Sequence, residues 1–478
     1  MPNPVVTITE NSNVLTADTQ RTMLVLGCSS GGTAGQPYTL STPGAAKTTL
    51  VSGKAAEFMV QLIRVSGQAH HFVNITPSVA DATSAVTETP AGTGPTITIS
   101  GDPLDDYSFA VKIIIGGARG TATFKYSLDG TNYLQALITT AATYVVPGTG
   151  VTLNFPNTSD YVADTVYTFT TTAGGFGASD VTTAINAARA AGLTFGGVVL
   201  LYEGTTTVST TLALATGLES DLATLNSTYG RDVIGYVGCN VAATDSDIAT
   251  AFDGWRSYRR ICVFARNAYM VSGLNPGQYV LNRSSLWPGV MRACEYRFSQ
   301  DIGSGQAPAL RETSMRAPNG TTLATSEIDA TTKLRPLGFT VLEKRNGLEG
   351  AYFSRGVTRA AADSLYSDLN VSRVISRAHE VLYAGLQKFV NHDVLLKSTG
   401  VLADAEMVAI REYLNDRAEE ALTKTTPAHA SKVVTTVSQS NVISSDRTLN
   451  VLQEVQIKGQ LHTIAATLSA TGTITITA

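Results

Sequence analysis

Gly27-Cys28-Ser29-Ser30-Gly31 is the stretch of this 478-residue chain that most resembles catalytic machinery. It matches G-x-S-x-G directly after an apolar run, Thr22 to Cys28, that reads as a buried strand, and a nucleophile elbow there would make Ser29 the attacking hydroxyl. An elbow needs a helix immediately behind it, to lend N–H groups to an oxyanion. Gly31, Gly32, Gly35 and Pro37 oppose a helix, so the segment reads as a glycine-rich turn, with a serine hydrolase built on Ser29 as the competing reading. The same residues imitate a phosphate loop. Thr33 stands where the lysine belongs and Ala34 where the serine or threonine belongs, which leaves the outer phosphates without a cation.

The other candidates for chemistry are weaker. His70-His71 and Asn391-His392-Asp393 could ligate a metal, but no HExxH occurs and His379-Glu380 lacks its second histidine; adjacent strand residues also face opposite ways. Asp105-Asp106 and Asp129 hint at calcium yet fit no EF-hand loop, and read as solvated turn formers. Cys28, Cys239, Cys262 and Cys294 form no CxxC pair, which favours free, mostly buried thiols, with disulfides between subunits as the alternative. No active site assembles from these residues. The expectation is a protein that is not an enzyme and needs no cofactor or metal.

Composition points the same way. Hydrophobic residues are 43% of the chain and charged ones 15%, which excludes a disordered polyelectrolyte and suggests that neighbours cover much of the surface. A net charge of −4 offers no basic footprint for phosphates, so nucleic acid is not an expected direct partner. MPNPVVTITENSN has no basic segment leading into a long apolar run, and no stretch approaches the ~18 to 20 apolar residues that span a bilayer. The expectation is a soluble protein made in a cytoplasm, without membrane insertion.

The elements that must position everything else follow from periodicity. Pro4 to Thr9 reads as a strand with no nearby partner, followed by a polar tether. Residues 45–65 look partly helical. From about Gly67 to Gly174 the alternation is β throughout: Tyr107, Phe109, Val111, Ile113 and Ile115, then Phe124, Tyr126 and Leu128, then Tyr167 and Phe169. That segment reads as an independent β-sandwich or barrel. Asp180 is placed to cap a helix, and the apolar strands VVLLY, DVIGYVG and ICVFA, separated by helical patterns over 210–229 and 246–255, imply βαβ crossovers and a parallel sheet. A helix is expected around 287–298, and a hairpin at Leu337 to Val357. Two long helices follow. The first carries Val371, Val374, Ala378, Val381 and Leu386 on one stripe, with Arg373, Arg377, Glu380 and Lys388 largely off it; the second, 403–424, exposes a dense mix of charges. TGTITITA closes the chain as a second isolated alternating strand.

With these segments in order, the chain resembles the tail sheath proteins of contractile phages and related injection systems. The resemblance rests on the Gly27-CSSG-Gly32-TAGQ-Pro37 loop between strands, on the β segments DDYSFAVKIIIGGARGTATFKYSLDG and VPGTGVTLNFPNTSDYVADTVYTFTTTA, and on the hairpin LGFTVLEKRNGLEGAYFSRGVT with the helix SRVISRAHEVLYAGLQKFV after it. It implies a mixed α/β and α+β, multidomain fold. Residues 1–20 would be an extended arm, 21–66 with 333–468 an inner α+β domain, 67–174 an inserted β-sandwich, 175–332 an α/β domain and 469–478 a terminal strand arm. It further implies a structural subunit that polymerises with itself in stacked hexameric rings around a tail tube and contracts, in a virion tail assembled in the host cytoplasm, with tube, baseplate and tail terminator proteins as partners. The strand residues of the arms, Val5, Val6 and Ile8 at one end and Thr473, Ile474, Thr475 and Ile476 at the other, would add to sheets of neighbouring subunits. Arg373, Arg377 and Lys388, with Glu412, Asp416 and Glu419, are the candidates for touching the tube. A non-contractile tail tube or adhesin protein is the structural alternative.

Overall fold

The computed structural model describes the chain apart from residues 1–18, 91–93, 203–206, 240–243, 256–257, 276–278, 305–313, 317–333, 335–336, 344–349, 362–363, 390–393, 438–450, 458–464, 469–473 and 478. Val5, Val6, Ile8, Thr473 and the Asn391-His392-Asp393 run therefore lie outside the described residues. Two compact units form, Asp18–Arg377 and Ala378–Ala478.

The first unit is built on a sheet whose inner strands are buried along their length, β1 (Met23–Gly27), β3 (His70–Asn74) and, beyond a long insertion, further strands, with the more exposed β2 (Pro37–Leu40) at one edge. Between β2 and β3 lie helices α1 (Pro43–Leu50) and α2 (Lys54–Ser66), the latter ended by Gly67 at φ 67°, a left-handed turn that suits glycine. The insertion carries β4 (Ala82–Thr83), β5 (Thr87–Thr89), β6 (Thr98–Ser100), β7 (Ser108–Ile115), β8 (Thr123–Ser127), β9 (Ile138–Thr139), β10 (Thr143–Val145), β11 (Thr152–Asn154) and β12 (Val166–Thr172). After it come α3 (Ala178–Ala190), β13 (Gly197–Leu200), α4 (Val208–Tyr229), β14 (Ile234–Gly238), α5 (Asp245–Ala251), β15 (Ile261–Ala265), β16 (Asn267–Val271), β17 (Val280–Ser284), α6 (Leu286–Glu295), β18 (Ser314–Arg316), β19 (Thr340–Glu343) and β20 (Tyr352–Phe353).

One eight-stranded sheet runs β2-β3-β1-β13-β14-β15-β19-β20, parallel from β3 to β19 and antiparallel at both edges. Strand alternation sends Met23 and Val25 to one face, where Phe58, Met59, Leu62, Trp287 and Val290 of α2 and α6 cover them. Leu24 and Leu26 go to the other, against Ile185, Leu214, Leu218 and Leu222 of α3 and α4. The sheet thus crosses the boundaries expected: it draws β1 and β2 from 21–66, β3 from the segment assigned to the insertion, β13 to β15 from 175–332, and β19 and β20 from 333–468. The parallel strands from 198 onward were foreseen; their continuation through β1 and β3 was not. Asp180 is also not the cap of α3: it sits at the helix's third position, and its carboxylate accepts from the Gly177 N–H at 2.8 Å.

In the insertion, β4-β12-β7-β8-β9 form one sheet, with β5 also on β12, and β10-β11-β6 another. The alternating aromatics meet inside, with Phe109 and Phe169 directly opposite in register and stacked at 4.6 Å. This core also takes in Tyr279, just before β17, and Leu281 of β17, both outside the insertion. The module expected to stand alone is completed by residues from elsewhere in the chain.

The second unit contains the later turns of α7 (Leu369–Leu386), α8 (Asp404–Leu422) and the antiparallel pair β21 (Ala430–Val437) and β22 (Val451–Ile457). Leu402, Ile410, Leu414 and Val437 form its core with Leu382, Leu386 and Phe389. The last strand, β24 (Ile474–Thr477), is not isolated: it pairs antiparallel with β23 (Ala465–Leu468). The mixed α/β and α+β, multidomain class is the one observed. Among the described residues no helix is long and apolar enough to cross a membrane.

Candidate functional site

The order β3-β1-β13 puts neighbours reached in opposite directions on either side of β1, so a crevice should open beyond Gly27, where open α/β sheets bind ligands. The 28–36 loop fills it. Asn74, at the end of β3, organises the loop: its Oδ1 accepts from the Ser29 N–H at 3.0 Å, and its Nδ2 donates to the carbonyls of Gly31 and Gly32 at 3.1 and 3.0 Å. The Ser30 N–H goes to Ser52 O, that of Gly31 to Leu50 O, that of Thr33 to Tyr38 Oη and that of Gly35 to Asn74 O. These donors, which would make an anion nest, are already used.

Ser29 has no catalytic setting. Its hydroxyl donates to Gly31 O at 2.7 Å, and the chain continues into β2 where an elbow requires a helix. The paired histidines are committed within the sheet. The Met23 N–H donates to His70 Nδ1, so the His70 proton sits on Nε2, toward Ser66 Oγ at 2.7 Å, and burial holds that imidazole at about 3. His71 lies between Thr39 Oγ1 and Thr194 O, and burial lowers it too. No group of three metal-ligating side chains occurs among the described residues.

The cysteines are equally inert. All four are free thiols; Cys239, Cys262 and Cys294 are buried, which removes them as disulfide partners for a neighbouring subunit. Burial pushes all four up to about 12. The thiolate is the reactive form, so an aromatic disulfide reagent at pH 8 should react with the native chain on the order of a thousandfold more slowly than with a free thiol. Rapid titration of two or more thiols before denaturation would contradict this burial.

Asp105 and Asp106 are not solvated turn formers. Asp105 is fully buried and receives both Arg283 nitrogens, Nη1 and Nη2, at 2.6 Å each, while Arg283 lies over the Trp287 ring at 4.4 Å. Burial would raise the Asp105 carboxyl, but the Arg283 charge and its bidentate bonds bring it below the ordinary value. Asp106 pairs with Lys54 Nζ at 2.8 Å. Alongside, Glu57 of α2 accepts from Ser272 Oγ, Tyr279 Oη and the N–H groups of Gly273 and Leu274. Asp129 accepts from Thr131, Asn132 and the Val280 N–H.

The proposed tube contacts divide. Arg373 and Arg377 are buried, 1% and 4% exposed, so they are not surface charges. Arg373 Nη2 donates to Gln20 O at 2.7 Å, pinning the turn Thr19–Arg21, while Arg21 Nε donates to Cys294 O at 2.6 Å and Gln68 Nε2 to Arg21 O at 2.6 Å. Glu419 is half-buried, bonded to Asn415 Nδ2 and Lys424 Nζ. Lys388, Glu412 and Asp416 are exposed, and Lys388 Nζ sits 4.1 Å from the Tyr413 ring centre. Arg373→Glu should cost more than about 4 kcal/mol in thermal melting, because it buries an unpaired carboxylate beside a carbonyl, whereas Lys388→Glu should stay within about 0.5 kcal/mol. Equal, small effects would return Arg373 to the surface.

One open feature of the second unit is a groove of about 790 Å³ between α8 and β21. Met407, Arg411, Glu412, Asn415 and Asp416 form its helical wall, so two of the tube-contact candidates border this groove, and Val433–Val437 form its floor. β21 pairs with β22 on one side only among the described residues, and on the other the Thr435 N–H is met by Asn415 Oδ1 at 3.2 Å. It is a strand edge with a wall beside it.

No family model matches the chain, and no curated protein matches it. Among solved structures, a chain of the 6-fold symmetrised anti-feeding prophage baseplate aligns over 94% of this chain and 93% of its own, at 9% identity and a TM-score of 0.51. This chain shares that fold. A sheath tail protein from Listeria innocua is similar over 92% of this chain and 95% of its own, at 12% identity and a TM-score of 0.46. The sheath complex of an extracellular contractile injection system in its contracted state gives 94% and 92%, at 6% identity and a TM-score of 0.47.

Proposed function

We propose that this chain is a structural subunit of a contractile tail sheath. It polymerises around a tail tube in stacked hexameric rings and contracts to drive the tube through a host envelope, working in a virion tail after assembly in the host cytoplasm. The observation that carries the reading is the end-to-end likeness in fold to a chain of a 6-fold symmetric prophage baseplate. The groove on β21 supports it physically. A strand edge with no second partner strand among the described residues, over a floor of valines and threonines, suits β-augmentation, and β24 pairs with β23 alone among the described residues, a two-stranded arrangement of marginal stability by itself. The terminal arm of one subunit, Thr473 to Ile476, would seat on β21 of another, and the segment of Val5, Val6 and Ile8 would make a second such link. Of the charges proposed to hold a tube weakly enough to release it, Lys388 is exposed away from the groove, while Glu412 and Asp416 lie on its rim. Partners on this reading are further copies of the chain, the tube, and baseplate and terminator proteins.

Negative-stain microscopy of the chain expressed alone tests the reading. Tubes that pack like a contracted sheath are expected. Persistent monomers at high concentration contradict it, and closed trimers would favour the adhesin alternative.

A further inference from the structure

The insertion leaves the central sheet after β3 and returns at α3, and its two connections run side by side, with Val79 bridged to Gly175. A module held only there could swing. A second, non-covalent attachment lies on β17. With the period of two, Tyr279, Leu281 and Arg283 are buried, while Asn282 is exposed. Tyr279 and Leu281 enter the apolar core of the insertion, and Arg283 meets Asp105. Around that pair, the Val280 N–H donates to Asp129, Lys54 Nζ holds Asp106, and the Lys54 N–H at the start of α2 donates to Leu104 O. Ser284, next along β17, belongs to the α/β body, packing against Gly238 at the end of β14.

We propose that the Asp105–Arg283 pair is a latch, and β17 the strap it closes, coupling the β insertion to the α/β body so that the two move and unfold as one rigid piece. The pair is suited to the role because its two members come from the two parts it joins, and removing either one breaks a buried, bidentate ion pair. Two parallel hydrogen bonds at 2.6 Å also fix orientation as well as distance. The inference concerns the free chain and stands apart from the sheath reading.

Hydrogen exchange on the full chain tests it. In the wild type, the amides of β7 and β12 in the insertion should exchange with the same denaturant dependence as those of β13 and β14 in the body. In Asp105→Asn, protection in β7 and β12 should fall by about a hundredfold or more while β13 and β14 change by only a few fold. Arg283→Lys keeps the charge but loses the fork; it should show the same split at roughly tenfold and serves if the first variant does not accumulate. An unchanged insertion, or an equal loss in both regions, would overturn the latch.

Discussion

A chain lacking Thr471 to Ala478 is expected to remain folded and soluble and to build no tubes. In the docked arm, Ile474 and Ile476 share one face of the strand and Thr473, Thr475 and Thr477 the other. Burying two isoleucines contributes about 3 to 6 kcal/mol, and strand hydrogen bonds add about 0.5 to 1.5 kcal/mol each, before the cost of ordering the arm. Losing even 5 kcal/mol per contact weakens association by more than a thousandfold. Circular dichroism should be nearly unchanged, since the removed strand pairs only with β23 among the described residues. Ile474→Asp should act almost as strongly by carrying an unpaired charge into the groove. Tubes of normal length from either variant would show that the terminal strand is not a connector.

The second large effect reverses an expectation drawn from sequence. Deleting residues 75–176 behind a short linker should not leave a sound body. It strands Arg283, 1% exposed in the intact chain, without Asp105, and strips the cover from Tyr279 and Leu281. Breaking a buried pair by removing one partner costs about 3 to 5 kcal/mol, and newly exposed apolar side chains add to it, a large share of the ~5 to 15 kcal/mol by which domains are stable. The deletion should therefore aggregate, and the same deletion carrying Tyr279→Ser, Leu281→Thr and Arg283→Met should recover a cooperative melt. A well-folded simple deletion would mean that β17 is no strap.

What could be read from the sequence was whatever repeats locally. Tyr107, Phe109, Val111 and Ile113 alternate because one face of β7 is a core, while Ile115, past a register shift, is exposed; VVLLY and ICVFA are continuously apolar because both faces are covered. What could not be read was set by distant partners. Arg373 lies off the apolar stripe of its helix, yet the turn that covers it is Thr19–Arg21, 353 positions away. Asp105 looks like half of a turn signal, and the Arg283 that buries it is 178 positions on. The unity of the sheet was hidden in the same way, since β1 and β13 pair in register across the whole insertion. The Ser29 loop had a local hint in its glycines, but the clamp that disarms it, Asn74, has no motif. Glu57, buried in α2 with four donors, carries no signal in its own segment.

Whether copies of the chain are joined by strands is decided by a helical reconstruction of the self-assembled tubes by electron cryomicroscopy. The expected result is an additional strand from another copy of the chain, seated on the outer edge of β21 between that strand and α8, with Asn415 displaced from or sharing the Thr435 N–H. Tubes in which that edge is bare and subunits meet only through side-chain surfaces would contradict it.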